Sequence, residues 1–198
     1  VHTFRLGGNY KFNEQSQLGL SYTSSLNPDK QQSVTSSDNH STTFNHAPAE
    51  EQMHNVALNY TSGFGLTGGI DYTYFRNKEE QSFRSIENNG QETTFLSNTA
   101  QYINRWKVYV DQNHTLSNAW VLNYGTSFTY VNNHNSQRYN LAAMSGMNKE
   151  SRVDEYTYNL YTGFEKNFGC QWSLNASAYI EYYQMISYNK LAINPPLN

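Results

Sequence analysis

Strict alternation of apolar and polar residues is the feature of this sequence that most constrains its fold. Near the start of the chain, Phe4, Leu6 and Tyr10 are each flanked by polar residues, charged residues or glycine. A period of two residues is that of a β-strand with one apolar face and one polar face. The pattern recurs in about eight stretches of roughly ten residues, and helical periodicity is almost absent. The sequence therefore predicts an all-β protein.

The stretches between these predicted strands alternate between short and long. The predicted strands cover residues 2–12, 17–26, 52–61, 66–77, 101–112, 120–132, 155–165 and 172–184. Short turns are predicted at residues 13–16, 62–65, 113–118 and 166–171, and long polar loops at residues 27–51, 78–100 and 133–154. Short periplasmic turns and long extracellular loops are typical of an outer-membrane barrel. We therefore expect an antiparallel up-and-down meander of about eight strands that forms a segment of a transmembrane β-barrel.

The composition is polar for a membrane protein, with a mean hydropathy of −0.79. No run of about 18 apolar residues occurs, so no transmembrane helix is predicted. A membrane-spanning strand needs an apolar residue only at every second position, so a polar average does not exclude it. Aromatic residues make up 15% of the chain, which argues against a disordered protein.

Charge and cysteine content exclude other classes of protein. A nucleic-acid-binding protein would show a basic patch, whereas the net charge here is −3, so no nucleic-acid partner is expected. The single cysteine, Cys170, cannot form an internal disulfide, so the fold is not a disulfide scaffold.

Charged residues within the predicted strands lie opposite the apolar face. They are Arg5, Lys11, Asp71, Arg105, Lys107, Asp111, Glu155, Glu165 and Glu181. The first exception is Arg76, which we expect at a strand end within reach of lipid headgroups. An Arg or Lys facing lipid at the bilayer midplane costs about 2–4 kcal/mol, so an uncharged face suits a lipid-facing wall. The inner face of a soluble sandwich would be uncharged as well, so this pattern leaves both environments open.

Aromatic residues also cluster at the two ends of the predicted strands. Those near the short turns are Phe12, Tyr60, Phe64, Trp120, Phe164, Phe168 and Trp172. Those near the long segments are Tyr22, Tyr74, Tyr102, Phe128, Tyr130, Tyr156 and Tyr182. Two aromatic girdles are what the two interfaces of a membrane select.

Several stretches resemble a known family. They are YKFNEQSQLGLSY at residues 10–22, IDYTYFRNK at 70–78, RWKVYVDQ at 105–112 and YNLYTGFEK at 158–166, followed by the strand that begins at Trp172. Along the whole segment the chain resembles Bacteroidetes outer-membrane β-barrel proteins related to TonB-dependent receptors. The resemblance implies a parent protein with a signal peptide, a plug-like N-terminal part and many more strands. It implies no catalytic motif.

The domain organisation follows from this resemblance. Residues 1–198 are expected to form a single β-barrel segment that lacks the N-terminal plug and signal parts and further strands. The chain starts within a strand pattern and stops at residues 194–198 before another pattern begins, which favours a fragment. The edge strands of an open sheet present unpaired backbone N–H and C=O groups that readily pair with another strand. We therefore expect this segment to close on itself or to pair through its edges.

Three functions are considered. The leading one is an outer-membrane receptor or transporter, with TonB-dependent uptake of an extracellular solute through contacts of the absent N-terminal region with TonB. The alternative is a small closed outer-membrane barrel that acts in adhesion or structural binding. The third is an outer-membrane enzyme of the lipase type, for which His54, the only outward histidine expected in a strand, lacks a visible partner. We therefore expect no enzyme activity, no catalytic residue and no cofactor; the expected partners are outer-membrane lipid and an unidentified solute.

Candidate metal and acid–base residues are sparse. His40, His46 and His54 fall in a polar segment without metal-ligand spacing, so no metal site is predicted. The adjacent acids at residues 50–51 and 79–80 are predicted to lie on loops and to point apart. The ligand-binding residues stay unknown from the sequence.

Overall fold

The computed structural model describes residues 1–116, 120–140, 146–168 and 172–191, which form one sheet of eight antiparallel strands. Each strand pairs with its neighbours in sequence, and β1 and β8 have one neighbour each. The predicted all-β meander is confirmed. The strands are β1 His2–Lys11, β2 Gln17–Ser37, β3 Ser41–Thr61, β4 Leu66–Glu87, β5 Glu92–Thr115, β6 Trp120–Tyr139, β7 Lys149–Phe168 and β8 Trp172–Leu191.

The prediction of three long polar loops is wrong. Residues 27–51 continue β2 and β3 to a tight turn at residues 38–40, and residues 78–100 continue β4 and β5. Most of residues 133–154 likewise belongs to β6 and β7, apart from residues 141–145, which lie outside the described residues. Backbone hydrogen bonds between strands do not depend on side-chain polarity, so pairing continues where the apolar face ends. The alternation that reveals a half-buried strand stops at that point.

Two of the predicted short turns are confirmed. The Phe12 amide donates to the Ser16 carbonyl at 2.9 Å, and the Ser62 amide donates to the Leu66 carbonyl at 2.8 Å. Gly65 has a φ of 88°, in the left-handed region that glycine adopts without strain. The other two predicted turns begin later than expected because β5 and β7 are longer. Their centres, residues 117–119 and 169–171 with Cys170, lie outside the described residues.

The register places most of the apolar residues of the eight strands on one face of the sheet, although a few, such as Phe75 and Ile103, lie on the other face. One row across the sheet pairs Gly8, Leu20, Leu58, Ile70, Val108, Phe128, Tyr158 and Tyr182 in turn. Residues that are paired across antiparallel strands project to the same side. The even-numbered side chains from β3 to β8 therefore form one continuous surface, the apolar face, and the odd-numbered side chains form the polar face.

The apolar face is uncovered. Among the described residues no hydrophobic side chain is buried, and Leu6, Leu160 and Ile180 are 64%, 58% and 66% exposed. A sheet is normally stabilised by burying one face against another layer. This part of the chain supplies no such layer, so the apolar face must be covered from outside it. No helix long and apolar enough to span a membrane occurs within the described ranges.

The two edges of the sheet are β1 and β8. Within the described residues, the strand order runs from β1 to β8 without a pairing between the two edges, so closure of the segment on itself, one of the two expected outcomes, is not found. An eight-stranded barrel has an interior just wide enough for side chains to fill. Within the strand stretches predicted from the sequence, the polar face carries nine charged residues and four tyrosines, and closure of these eight strands alone would bury all of them. Edge pairing with another chain stays a prediction.

The hairpin formed by β2 and β3 predicts a specific cross-link, because Val34 and Asn45 are directly paired. Their Cβ atoms are then about 4.5–5.5 Å apart, close to what a disulfide needs after a small adjustment. In a Cys170→Ser background, Val34→Cys combined with Asn45→Cys should lose both free thiols on mild oxidation, as measured by mass spectrometry after alkylation. The control, Val34→Cys with Phe44→Cys, places the thiols on opposite faces and should stay reduced. Equal oxidation of the two variants would contradict the register.

Asp38 closes the tip of this hairpin. Its Oδ1 atom accepts hydrogen bonds from the backbone amides of His40 and Ser41, both at 2.7 Å. These bonds hold the pKa of the Asp38 carboxyl below its usual value. A carboxyl with a lowered folded-state pKa stabilises the fold above its unfolded-state pKa. That contribution is lost as the pH falls through the lower, folded-state pKa.

Acid should therefore loosen the hairpin tip while the paired strands persist. We expect the hydrogen-exchange protection factors of the His40 and Ser41 amides to fall between about pH 6 and pH 2. In an Asp38→Ala variant, protection at the same amides should be low at every pH. Protection in the unmodified chain that does not change with pH would show that the Asp38 carboxylate does not hold the tip.

Candidate functional site

The polar face carries a network of hydrogen bonds between strands. On β3, the Asn55 side-chain amide donates to the Asp71 carboxylate and to the Thr73 hydroxyl, both at 3.0 Å. Arg105 of β5 lies 4.0 Å from the same Asp71 carboxylate. The nine charged residues predicted to oppose the apolar face all lie on this polar face, as their register positions show.

Tyrosines, rather than cations, bind three of the five acids that were predicted to oppose the apolar face. The Tyr161 hydroxyl donates to the Asp111 carboxylate, and Tyr183 donates to Glu155 at 3.0 Å. Tyr179 has two acceptors, Glu181 at 2.7 Å and the Asn159 side chain at 2.5 Å. Among the nine charged residues that oppose the apolar face, only Arg105 and Asp71 form a pair of opposite charges in the described part of the chain.

These polar-face tyrosines were not singled out from the sequence. The available signal was their odd position in the alternation, which places Tyr109, Tyr161, Tyr179 and Tyr183 opposite the apolar residues. Tyr109 donates to the Asn59 side chain at 2.8 Å, and the Lys107 ammonium lies 5.7 Å from the centre of the Tyr109 ring. The polar face thus combines aromatic rings with hydrogen-bonding groups, which suits contact with a polar solute or with another polar protein surface.

The apolar face ends in a row of tyrosines whose hydroxyls point to a polar row. Tyr22, Val56, Tyr72, Trp106, Tyr130 and Tyr156 lie in one row, and Ser24, His54, Tyr74, Asn104, Asn132 and Asp154 lie in the next. Tyr72 donates to Asn104 at 2.9 Å, and Tyr130 donates to Asp154 at 3.0 Å. Tyr and Trp prefer such a border because one end of the side chain is apolar and the other polar.

Asp154 is the most strongly anchored acid of this border. It is 4% exposed and accepts from Asn132 at 2.6 Å and from Arg152 at 3.0 Å. Arg76 lies at the same border and binds both oxygens of Glu50 at 2.9 Å. The prediction that Arg76 ends its strand is wrong, because β4 continues to Glu87. Arg76 instead lies within β4, on the same side of the sheet as the apolar face. It is at the level where apolar side chains on that side give way to charged ones, in the direction away from the short turns.

The three histidines considered as candidate metal or catalytic residues are not brought together into one site. His54 lies in β3 between two tyrosines, and its Nδ1 is 2.8 Å from the Tyr22 hydroxyl, so it does have a partner. His46 lies 2.8 Å from the Ser33 hydroxyl, and His40 lies in the hairpin turn. His54 is not the only outward histidine, because His46 shares its face. In residues 1–116, 120–140, 146–168 and 172–191, no three His, Cys, Asp or Glu side chains could hold a metal ion.

The adjacent acids lie on strands rather than on loops. Because neighbouring residues of a strand point to opposite faces, Glu50 and Glu51 do point apart, as predicted. Glu50 binds Arg76, whereas Glu51 binds Lys30 at 2.6 Å on the other face. Glu79 and Glu80 of β4 alternate in the same way.

No protein-family model and no curated protein matches this sequence. Among solved structures, the chain is similar to the beta domain of the Bordetella autotransporter Brka, with 10% sequence identity and a TM-score of 0.41. That similarity covers 92% of this chain and 81% of the other. A TM-score of this size does not establish a shared family or function. The resemblance to Bacteroidetes proteins related to TonB-dependent receptors stays a prediction.

Gly125 provides a test of the tyrosine–carboxylate network. A Cβ atom at this position would lie 2.7 Å from two ring carbons of Tyr161 and would also collide with the Asp111 carboxylate. Gly125→Ala should therefore separate Tyr161 from Asp111, and loss of that hydrogen bond should lower the free energy of unfolding by about 1 kcal/mol relative to the control. The matched control is Gly8→Ala, because nothing lies within 4 Å of a Cβ atom at Gly8. Urea unfolding of both variants in detergent measures the difference; equal midpoints would contradict the network.

Proposed function

We propose that this chain is part of the wall of an outer-membrane β-barrel, with its apolar face toward lipid and its polar face toward the lumen. The observation that carries this proposal is the uncovered apolar face, which is continuous across all eight strands and is bordered by tyrosines. Lipid covers such a face without a second protein layer, and aromatic residues with polar ends favour the interface between lipid and water.

Strand length supports the same placement. A transmembrane β-strand needs about 9–11 residues when it is tilted, and strands β2 to β5 are 21, 21, 22 and 24 residues long. On this proposal roughly half of each strand crosses the bilayer, from the short turns to the tyrosine border. The remaining ten or so residues, at about 3.3 Å each, would project about 30 Å beyond the membrane.

For the activity, we propose uptake of an extracellular polar solute, driven by TonB through a part of the protein outside this segment. The polar face supports this role because its tyrosines, asparagines and carboxylates form a hydrogen-bonding surface rather than an apolar interior. A lumen lined in this way suits a water-filled path or a polar plug. No catalytic role is proposed for any residue.

A second candidate function is adhesion, and the projecting hairpins favour it. The β2–β3 and β4–β5 hairpins are paired to each other up to their tips, where Ser41 lies opposite Glu87, with an interruption at Ala47 and Pro48. The Asn88 amide and side chain also bind the turn residues His40 and Asn39 at 2.9 and 2.6 Å. The two hairpins thus form one four-stranded blade, which could present a preformed surface to a partner outside the cell.

The membrane placement is tested by an arginine on each face of β7. Leu160 lies on the apolar face and is 58% exposed, so its replacement loses little packing within the sheet. Leu160→Arg should reduce the stability of the protein folded into lipid vesicles by about 2–4 kcal/mol. Thr157→Arg, three residues away on the polar face, should cost much less. Equal costs for the two variants would contradict a lipid-facing apolar face.

Shortening the blade separates uptake from adhesion. Gln32 and Ala47 are directly paired, so residues 33–46 can be replaced by a two-residue turn without changing the register below. If the function is uptake, solute entry through the complete protein should persist while the tip is absent. If the function is adhesion, binding of cells to their surface target should fall and solute entry should not be affected. The control is the Asp38→Ala variant, which keeps the blade at full length and only loosens its tip.

A further inference from the structure

A belt of apolar side chains crosses the polar face of the sheet from β3 to β8. Its members occupy two adjacent rows of that face and are Met53, Phe75, Ile103, Val131, Val153 and Met185. The next row toward the hairpin tips is polar throughout and consists of Glu51, Asn77, Gln101, Asn135, Ser151 and Asn189. The row on the other side of the belt includes Asp71, Lys107, Thr129 and Thr157.

The belt is most compact on β3, β4 and β5, where Met53 pairs with Phe75 and Phe75 with Ile103. Directly paired side chains have Cβ atoms about 4.5–5.5 Å apart, so these three form one apolar surface. Both ends of the belt are uncovered, because Met53 is 37% exposed and Met185 58%. An apolar patch on an otherwise polar surface indicates a contact site, since apolar groups are exposed to water only at a cost.

The belt lies at the level of the tyrosine border. Ile103 directly precedes Asn104, which accepts the hydrogen bond of Tyr72 on the other side of the sheet. On the proposed membrane placement, the belt therefore faces the lumen near the outer surface of the bilayer. An extracellular solute would meet it on entering the part of the barrel that crosses the membrane.

Two cations adjoin the belt on β5. Arg105 is two residues from Ile103 on the same face, about 7 Å along the strand. Its side chain is 44% exposed, and the Asp71 oxygen with which it pairs is 4.0 Å away, beyond hydrogen-bonding distance. The Asp71 carboxylate instead accepts from two neutral side chains, at 3.0 and 3.3 Å. Lys107 follows on the same face and takes part in none of the ion pairs of the described residues.

We propose that the belt and Arg105 bind the solute that the barrel takes up, and that this solute is an amphiphilic carboxylate. Its apolar group packs on Phe75 and Ile103, and its carboxylate binds the Arg105 guanidinium. The inference rests on the proposed uptake function, with the polar face toward the lumen. Arginine binds a carboxylate through two parallel hydrogen bonds. Lys107 adds positive charge on the same side.

Both parts of such a solute are needed for the match. A solute without an apolar group would leave the belt uncovered. A solute without an anionic group would leave the Arg105 guanidinium without a charged partner. The separation of about 7 Å between the two contacts is comparable to the length of a short alkyl chain.

The test uses 4-phenylbutyrate, which carries an aromatic ring and a carboxylate on one short chain. The complete protein, with Met53→Cys as its only cysteine and with Cys170→Ser, is folded into lipid vesicles. The thiol should react with a cationic, water-soluble methanethiosulfonate reagent, which does not compete for Arg105. The probe 4-phenylbutyrate should protect the thiol, and the uncharged 4-phenylbutanamide should need a concentration about tenfold higher, the effect of one charge-assisted hydrogen bond.

Substitutions assign the contacts. Arg105→Gln should raise the protecting concentration of 4-phenylbutyrate about tenfold and leave that of the amide unchanged. Phe75→Ser should weaken protection by both probes. Lys11→Gln removes a cation elsewhere on the polar face and should change neither. Val108→Cys, on the apolar face, should not react with the reagent.

The possible failures are distinguishable. Reaction of Met53→Cys without protection by either probe would overturn the solute site and leave the membrane placement intact. Equal protection by the acid and the amide would overturn the role of Arg105. No reaction at Met53→Cys would also overturn the solute site, since another part of the protein would then cover the belt. Reaction of Val108→Cys as fast as that of Met53→Cys would overturn the membrane placement and the solute site together.

Discussion

An apolar face that the chain itself cannot cover is the constraint on which the rest of this structure depends. The cross-strand register places apolar side chains of eight strands on one side of a single sheet, and none of those described is buried. Burial of apolar surface is the main favourable contribution to folding, so this sheet is stable only where another medium covers that face. A single-layer wall in lipid satisfies this requirement, whereas an isolated sheet in water does not.

The same register explains why polar groups are arranged as they are. Successive side chains of a strand point to opposite faces of the sheet. Because the even positions are mostly apolar, the charged residues and several tyrosines at odd positions lie together on the opposite face. There the acids bind tyrosine hydroxyls, as Asp111 binds Tyr161 and Glu155 binds Tyr183. Where the apolar face ends, Tyr72 and Tyr130 donate to Asn104 and Asp154 and satisfy the first polar row. Above that row the strands carry charges on both faces.

Alternation made the fold largely predictable from the sequence. The order of the strands, the turns at residues 13–16 and 62–65, and the face of the nine charges within the predicted strands followed from a period of two. The ends of the strands near residues 38, 88 and 140 did not, because pairing there is maintained by backbone hydrogen bonds between segments that no longer alternate between apolar and polar residues. Side-chain contacts between strands, such as that of Tyr22 with His54, depend on how the strands are aligned. The sequence pattern of one strand does not specify that alignment.

The measurement that tests this account most directly is a scan of lipid contact along β5. Single cysteines, in a Cys170→Ser background, are placed in turn at residues 104–110, labelled with a fluorophore and exposed to brominated lipid in vesicles. The account predicts strong quenching at the even positions from Trp106 to Val110, and weak quenching at the odd positions Lys107 and Tyr109. Quenching that does not alternate, or that is stronger at the odd positions, would contradict a wall with its apolar face in lipid.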